Sequence, residues 1–254
     1  MENDNDYDLI FCVFACDKFE KYCQEIRSIN ETWGKQCIDR VKLLFFLGEE
    51  KTDEFVGDCY INLKDVKDDY LSASHKQFLG LKYIYDNYKF KYVHCCGTDT
   101  FINVPKLLKL LNEFNFNEPL YIGGHGCVRK ICEKDYYFHS GGPGFSISKS
   151  CIHIIYPILD KIVHLWNQIC IDDNNGLSCA CDVAISYYLQ QPDKNIIIKK
   201  CDNFFYCNYL GHLGGFRCCA EKIVIKDIIS CHYMSNTNFI DFYNILLQNN
   251  FFVY

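Results

Sequence analysis

The sequence lacks the signals that define several common classes of protein. Its 254 residues include 18 cysteines but no Cys-x-x-Cys pair, and no Gly-x-Gly-x-x-Gly follows the first apolar run. The first absence argues against a zinc or redox scaffold, and the second against a dinucleotide-binding fold. A net charge of -6 and a pI near 5.7 argue against a nucleic-acid-binding protein, because binding to phosphate backbones requires a basic face.

Long apolar runs are also missing. The first apolar segment, residues 9–15, is far shorter than the ~20 residues of a membrane-spanning helix, and no basic region precedes it. We therefore expect a chain without signal peptide or transmembrane segment, soluble and intracellular, in the cytoplasm. In such a reducing compartment most cysteines are expected to be free thiols that pack as small hydrophobes.

What the sequence does contain predicts a folded α/β protein. The hydrophobic fraction of 49% and the aromatic fraction of 16% supply a large core. Short apolar runs alternate with amphipathic segments of helical period, and no repeat or linker interrupts them, so we expect one domain over residues 1–254. Strands are predicted at residues 9–15, 41–47, 92–96, 120–122, 145–147, 196–198 and 223–225, and helices at 19–33, 72–88, from Pro105 onward, 183–189 and 239–247.

Two segments are candidates for metal binding. Asp99 directly follows a predicted buried strand, where an open α/β sheet places its ligands, and a carboxylate there suits a divalent cation on a diphosphate. The simpler interpretation of Asp99 is a turn or helix cap. His232 follows another apolar run and by itself is expected to be a hydrogen-bonded structural residue. It becomes a candidate ligand only if the fold brings it to Asp99.

Two further segments are candidates for substrate contact and catalysis. The loop around Gly141 and Gly142 lets backbone approach a ligand closely, although a tight hairpin turn explains it equally well. Asp182 lies at the predicted start of a helix, where it either stabilises the helix dipole or acts as a general base on an acceptor hydroxyl.

Taken in order, these segments resemble the motifs of the fringe-like and core-1-type β1,3-glycosyltransferases of glycosyltransferase family 31. Each motif alone is a loose pattern, but six of them in the family's order, over about residues 8 to 235, are specific. They are Ile26-Arg27…Thr32-Trp33-Gly34, Asp68-Asp69-Tyr70…His75-Lys76, Gly97-Thr98-Asp99-Thr100-Phe101, Gly141-Gly142-Pro143-Gly144-Phe145, Cys181-Asp182-Val183 and Cys231-His232-Tyr233-Met234.

The resemblance implies a GT-A fold with a central, mostly parallel sheet flanked by helices. It implies an inverting, metal-dependent transferase that moves a hexose or N-acetylhexosamine, with galactose favoured, from a UDP-sugar to a glycan, glycoprotein or glycolipid acceptor through a β1,3 linkage. Mn²⁺ or Mg²⁺ is expected as the metal. The roles implied are metal binding by Asp99 and His232, general base catalysis by Asp182, and contacts to the nucleotide sugar by Arg27, Lys76, Thr98, Gly141 and Gly142. For Arg27 and Lys76, ordinary helix-surface charge is the alternative.

One departure from the family's pattern bears on activity. The family's metal motif has three consecutive carboxylates, and Gly97 and Thr98 stand in place of the first two here, so only Asp99 is kept. The alternative function is therefore a catalytically inactive module that binds a nucleotide sugar or a glycan on the same fold.

Overall fold

A seven-stranded sheet built from the apolar runs of the chain lies at the centre of the fold. The computed structural model describes residues 6–49, 54–69, 71–213, 216–217 and 223–252. In spatial order the strands of the sheet are β10 (Ile197–Lys200), β6 (Leu120–Gly123), β9 (Phe145–Ser148), β4 (Lys89–Gly97), β1 (Asp6–Phe14), β2 (Val41–Leu47) and β3 (Tyr60–Asn62).

The sheet is mostly parallel, as predicted. Strands β4, β1, β2 and β3 pair in parallel, as do β10 and β6, while β9 runs antiparallel to both β6 and β4. Parallel strands need both faces covered, and helices lie on each side. The fold class predicted from the sequence is confirmed.

The helices form two layers, each closing one hydrophobic core against a face of the sheet. In chain order they are α1 (Glu20–Glu31), α2 (Ala73–Asn87), α3 (Val104–Leu111), α4 (Lys149–Ile155), α5 (Ile162–Asp172), α6 (Cys181–Leu189) and α7 (Asn236–Gln248). Buried side chains of α2, α4, α5 and α6 share one core, and those of α1, α3 and α7 share the other. Alternate residues of β1 point to opposite cores: Ile10 belongs to the first and Phe11 to the second.

A small second sheet ties the late part of the chain to the end of β4. It consists of β11 (Phe204–Phe205), β14 (Ser230–Cys231) and β5 (Phe101–Ile102). Because β14 pairs antiparallel with β5, the residue that follows β14 is brought beside the segment that follows β4. This pairing positions His232.

The predicted elements agree with the structure along most of the chain. Strand β2 has the predicted bounds, and the other predicted strands and helices are found with ends shifted by a few residues, with one exception. Residues 223–225 were predicted as a strand, which is wrong: a short 3-10 helix, Ile225–Asp227, lies there instead. Three apolar residues in a row do not distinguish a short strand from a turn.

Several elements of the structure were missed by the sequence analysis. They include α4, α5 and two strand pairs, which are the hairpin β7 (Cys127–Ile131) with β8 (Lys134–Phe138) and the pair β12 (His212–Leu213) with β13 (Phe216–Arg217). The β7–β8 hairpin lies in the segment between the strands predicted at 120–122 and 145–147.

The cysteines of the described residues are mainly thiols. Fifteen are free, and Cys207 is disulfide-bonded. Tyr70 of the second motif and the Cys218-Cys219 pair lie outside the described residues. In the part of the chain that the structure describes, no helix combines the length and apolar character needed to cross a bilayer.

Candidate active site

The carboxyl ends of the parallel strands converge on one edge of the sheet, and the candidate residues lie along that edge. Phe14 at the end of β1 is the register partner of Gly97 at the end of β4. Strand β9 is antiparallel and begins at the same edge, where Phe145 pairs with Cys95. The glycine-rich loop before β9 therefore lies next to the segment that follows β4.

A cavity of about 610 Å³ opens at this edge. Its volume is within the range of sites for small organic ligands. Asp99, Asp182 and His232 all line it, although they are far apart in the sequence. The other candidates on its wall are Lys76, Thr98, Gly141 and Gly142.

Asp99 and His232 form a pair on one wall of the cavity. His232 Nε2 lies 3.1 Å from Asp99 Oδ1, and the two side chains are 19% and 28% exposed. The Met234 backbone N–H donates to the Asp99 carbonyl at 3.0 Å, and the His232 N–H donates to the carbonyls of Phe205 and Cys207, both at 3.1 Å. The small second sheet thus fixes the backbone on both sides of the pair.

The donor chemistry of this pair fits a divalent cation. Carboxylate oxygen and imidazole nitrogen are both common ligands of such ions. Among the described residues, no three His, Cys, Asp or Glu side chains lie close enough together to enclose an ion. Two protein donors suit a cation that takes its remaining ligands from water and substrate phosphates.

Asp182 lies on another wall, at the start of α6. Its Oδ2 accepts from the Gly141 N–H at 2.9 Å, and its Oδ1 accepts from the Val183 N–H at 2.9 Å. Burial raises the pKa of Asp182, and these two backbone donors only partly offset that effect. A carboxylate with a raised pKa is a better proton acceptor than an ordinary surface aspartate.

Gly141 and Gly142 each pack against one of these groups. A Cβ at Gly141 would lie 3.1 Å from the Asp182 Cβ, and a Cβ at Gly142 would lie 2.3 Å from His232 Nδ1. The second position has no room for any side chain while His232 keeps its place. The adjacent Thr100 hydroxyl donates to the Gly142 carbonyl at 2.7 Å, which anchors the loop.

Lys76 lines the cavity, but its charge is already neutralised. Its ammonium, 2% exposed, donates to Asp68 and to the Ala15 carbonyl. Asp68 also accepts from the backbone N–H groups of Asp17 at 2.7 Å and Gly48 at 3.1 Å. Burial alone would raise the pKa of Asp68, but the hydrogen bonds from Asp17 and Lys76 outweigh it and hold that pKa at about 2. Lys76 therefore braces the loop after β1.

Arg27 is the one candidate that the structure does not bring to the cavity. It lies on α1 and donates to Glu54 at 2.5 and 2.7 Å and to Glu20 at 2.8 Å. Both carboxylates are partly exposed, so this cluster is an ion-pair network on the protein surface. Arg27 therefore fits the alternative interpretation, which is an ordinary charged residue on the surface of a helix.

Glu25 and Tyr233 are among the cavity residues that the sequence analysis missed. Glu25 on α1 is 3% exposed, and its Oε2 accepts from the Thr98 hydroxyl at 2.5 Å. A signal existed, because Glu25 falls at helical spacing from Tyr22 and Ile29 on the apolar side of α1. Tyr233 follows His232 with a φ of +56°, and its ring centroid lies 4.2 Å from that of the imidazole. Backbone conformation of this kind leaves no mark in the sequence.

Solved glycosyltransferase structures share this architecture. One is a glycosyltransferase involved in the glycosylation of the major capsid of PBCV-1, with 12% identity, a TM-score of 0.50, and coverage of 94% of this chain and 99% of that one. Another is the apo-form glycosyltransferase GlyE of Streptococcus pneumoniae TIGR4, with 14% identity, a TM-score of 0.50, and coverage of 97% and 63%. Identities this low establish the fold alone. That fold is GT-A.

The family follows from the sequence match. The Fringe-like family profile matches residues 5–191, and the chain belongs to that family. The match spans Asp99, Gly141, Gly142 and Asp182 and ends before His232. The resemblance inferred from the six motifs is confirmed.

Curated relatives are similar over part of their length. Chondroitin sulfate synthase 3 of Mus musculus is 28% identical over 143 residues, with coverage of 51% of this chain and 16% of that protein. The Homo sapiens protein of the same name is 30% identical over 98 residues, with coverage of 35% of this chain and 11% of that protein. The chain thus spans only a small part of these relatives.

Proposed function

We propose that the protein is an inverting glycosyltransferase that moves a hexose or N-acetylhexosamine from a UDP-sugar to an acceptor hydroxyl. The observation that carries this proposal is the meeting, in one cavity of about 610 Å³, of the Asp99–His232 pair and the separate carboxylate of Asp182. One wall offers ligands for a cation on a diphosphate, and the other offers a base. Membership of the Fringe-like family supports the same reaction class.

The wall with Asp99 and His232 receives the diphosphate of the donor. As UDP leaves, negative charge grows on its phosphate oxygens, and a bound Mn²⁺ or Mg²⁺ supplies positive charge at that point. Asp99 and His232 would hold that ion, because their backbones are fixed by hydrogen bonds to neighbouring segments. Thr98 lies on the same wall with its hydroxyl committed to Glu25.

Asp182 takes the proton of the acceptor hydroxyl. The N–H groups of Gly141 and Val183 orient the carboxylate towards the cavity without protonating it. The acceptor oxygen then forms a bond to the anomeric carbon while the bond from that carbon to the UDP oxygen breaks, on the opposite face. The configuration inverts, the proton stays on Asp182, and UDP leaves with the bonding electrons. General-base help of this kind contributes about 10²–10⁴ in rate.

The finer specificity follows the family. Galactose is the favoured donor sugar, a β1,3 linkage the favoured product, and a glycan, glycoprotein or glycolipid the acceptor. These assignments rest on the resemblance of the six motifs, because the cavity wall alone does not select among hexoses. The single-domain organisation over residues 1–254 is proposed because no repeat or linker interrupts the sequence pattern.

A second function is a catalytically inactive module that binds a nucleotide sugar or glycan. Gly97 and Thr98 favour it, since they leave the metal motif with one of its three carboxylates. A screen of UDP release from a panel of UDP-sugars with Mn²⁺, followed by mass spectrometry of the products, separates the two. A transferase releases UDP from at least one donor and adds a sugar mass to an acceptor. An inactive module binds a donor without releasing UDP, and that result would overturn the proposed function.

A further inference from the structure

Glu25 is a buried carboxylate on the same wall as Asp99 and His232. It is 3% exposed, although α1 also has a solvent face on which glutamates such as Glu31 are accommodated. Its Oε2 accepts a hydrogen bond from the hydroxyl of Thr98, which is the neighbour of Asp99. Glu25, Thr98 and Asp99 all line the cavity.

The partners of Glu25 within the protein are few for a buried acid. The nearest cation, Lys21 Nζ, lies 3.8 Å from Oε1, and the Lys21 side chain is 73% exposed. A pair this open to solvent contributes little. Buried carboxylates ordinarily persist because they are hydrogen-bonded and paired with a cation or a metal. Among the described residues, the ion-pair partner of Glu25 is therefore a solvent-exposed ammonium, and Lys21 also lines the cavity.

The place of Glu25 matches the carboxylates that are missing from the metal motif. Position 98, where the family resemblance puts an acid, is a threonine whose hydroxyl holds the Glu25 carboxylate instead. The charge absent from the strand end is thus present on the neighbouring helix. Burial raises the pKa of Glu25, the hydrogen bond from Thr98 lowers it in part, and the nearby Asp99 carboxylate raises it further. A cation bound beside Asp99 would favour the ionised form of both carboxyl groups.

We propose that Glu25 supplies the second negative charge of the divalent-cation site, replacing the acid that is absent at position 98. Glu25 lies behind Thr98 and acts through it as a positioning residue rather than as a ligand of the ion. Among the described residues, no three His, Cys, Asp or Glu side chains lie close enough together to hold an ion. This inference rests on the metal-binding part of the proposed function.

The test is the Mn²⁺ affinity of the protein at saturating UDP, measured from the electron paramagnetic resonance signal of free Mn²⁺. Glu25→Gln keeps the shape of the side chain and removes the charge. Loss of a residue that supports metal ligands typically weakens metal affinity about 10–100-fold, and we expect a loss in that range. Glu31→Gln removes one charge from the exposed side of the same helix and should bind Mn²⁺ as the parent does.

A double variant distinguishes charge from mere structural support. Glu25→Gln combined with Thr98→Asp exchanges the donor and the acceptor of this hydrogen bond. The carboxylate is then at position 98, and the amide at position 25 can donate to it. We expect Mn²⁺ affinity to recover towards the parent value. Affinity that stays as low as in Glu25→Gln would show that the charge is not what the site needs.

The outcomes separate this inference from the proposed function. If the parent binds Mn²⁺ and Glu25→Gln binds it equally well, the inference is wrong and the proposed function stands. If the parent shows no Mn²⁺ binding with UDP, the inference and the metal-binding part of the function both fall, while metal-free transfer is checked separately by UDP release. Should Glu25→Gln fail to fold, Glu25→Met removes the charge with a side chain of similar length that suits a buried position, and unchanged Mn²⁺ affinity in that variant overturns the inference.

Discussion

Two carboxylates of one cavity lie in contrasting surroundings. Asp99 is 28% exposed at its side chain and has a potential cation, His232, at 3.1 Å. Asp182 has two backbone N–H donors and no cationic side chain within hydrogen-bonding distance among the described residues. The same chemical group is therefore prepared for different tasks by its neighbours, a general feature of sites that use paired carboxylates.

The difference shows why each carboxylate suits its proposed role. A carboxylate beside an imidazole and open to the cavity is a ligand for a cation. A carboxylate whose pKa is raised by burial, and which is held by backbone donors, is a base with little freedom to turn away. The two consecutive glycines reflect the same division, because Gly142 packs against His232 and Gly141 against Asp182.

The largest effect is expected from removing the base. Asp182→Asn keeps an oxygen that can accept from the Gly141 N–H but cannot take a proton, so transfer should fall by about 10²–10⁴. UDP affinity should be unchanged, because the diphosphate wall is intact. Product formation and calorimetry of UDP binding measure the two quantities. Asp193→Asn, at an exposed position, is the matched control, and full transfer by Asp182→Asn would remove Asp182 as the base.

A smaller effect is expected at the other wall. Asp99→Ala removes the only carboxylate of the metal pair, so the gain in UDP affinity on adding Mn²⁺ should shrink by at least about tenfold. Calorimetric titration of UDP with Mn²⁺ and with EDTA measures this gain, with Asp193→Ala as the control. Equal affinities for parent and variant under both conditions would contradict a metal site at Asp99.

The glycine pair offers a finer comparison. Gly142→Ala must displace the His232 imidazole, because the new Cβ would lie 2.3 Å from Nδ1, whereas Gly141→Ala meets Asp182 at 3.1 Å and needs only a shift of a few tenths of an ångström. We expect Gly142→Ala to weaken Mn²⁺-dependent UDP binding more than Gly141→Ala does, and Gly141→Ala to act mainly on turnover. The reverse order in UDP binding would contradict the assignment of Gly142 to the metal pair and of Gly141 to Asp182.

The smallest effect is a change of stability with pH. The folded-state pKa of Asp182 is raised above that of the unfolded chain, so its contribution to stability is present at low pH and is lost as pH rises through the folded pKa. Asp182→Asn avoids this loss. The variant should melt at a higher temperature than the parent at pH 7, and the difference should vanish below about pH 4, where an unfolded aspartate is protonated. A lower melting temperature for the variant at pH 7 would contradict the raised pKa.

The sequence predicted the fold where local pattern and tertiary structure agree. Strand β2 and helix α2 are long, strongly patterned segments, and both lie where their apolar residues indicated. The order of the motifs also predicted that Asp99, Asp182 and His232 meet, since the family's fold gathers those positions, and all three line the cavity.

Features that depend on partners distant in the chain escaped prediction. Arg27 meets Glu54, 27 residues away, so its exposure to solvent rather than to the cavity is a tertiary property. Glu25 meets Thr98 across 73 residues, and the positive φ of Tyr233 is set by its neighbours in the fold. A pattern of residue types records none of these three relations.

The central claim is that one cavity binds the donor between Asp99, His232 and Asp182. Its most direct test is a crystal structure with Mn²⁺ and UDP, in which the anomalous scattering of manganese locates the ion independently of the protein map. We predict one strong peak in contact with Asp99 and His232, with the diphosphate beside it and the open part of the cavity extending to Asp182. Manganese and UDP bound together elsewhere, with this cavity empty, would contradict it.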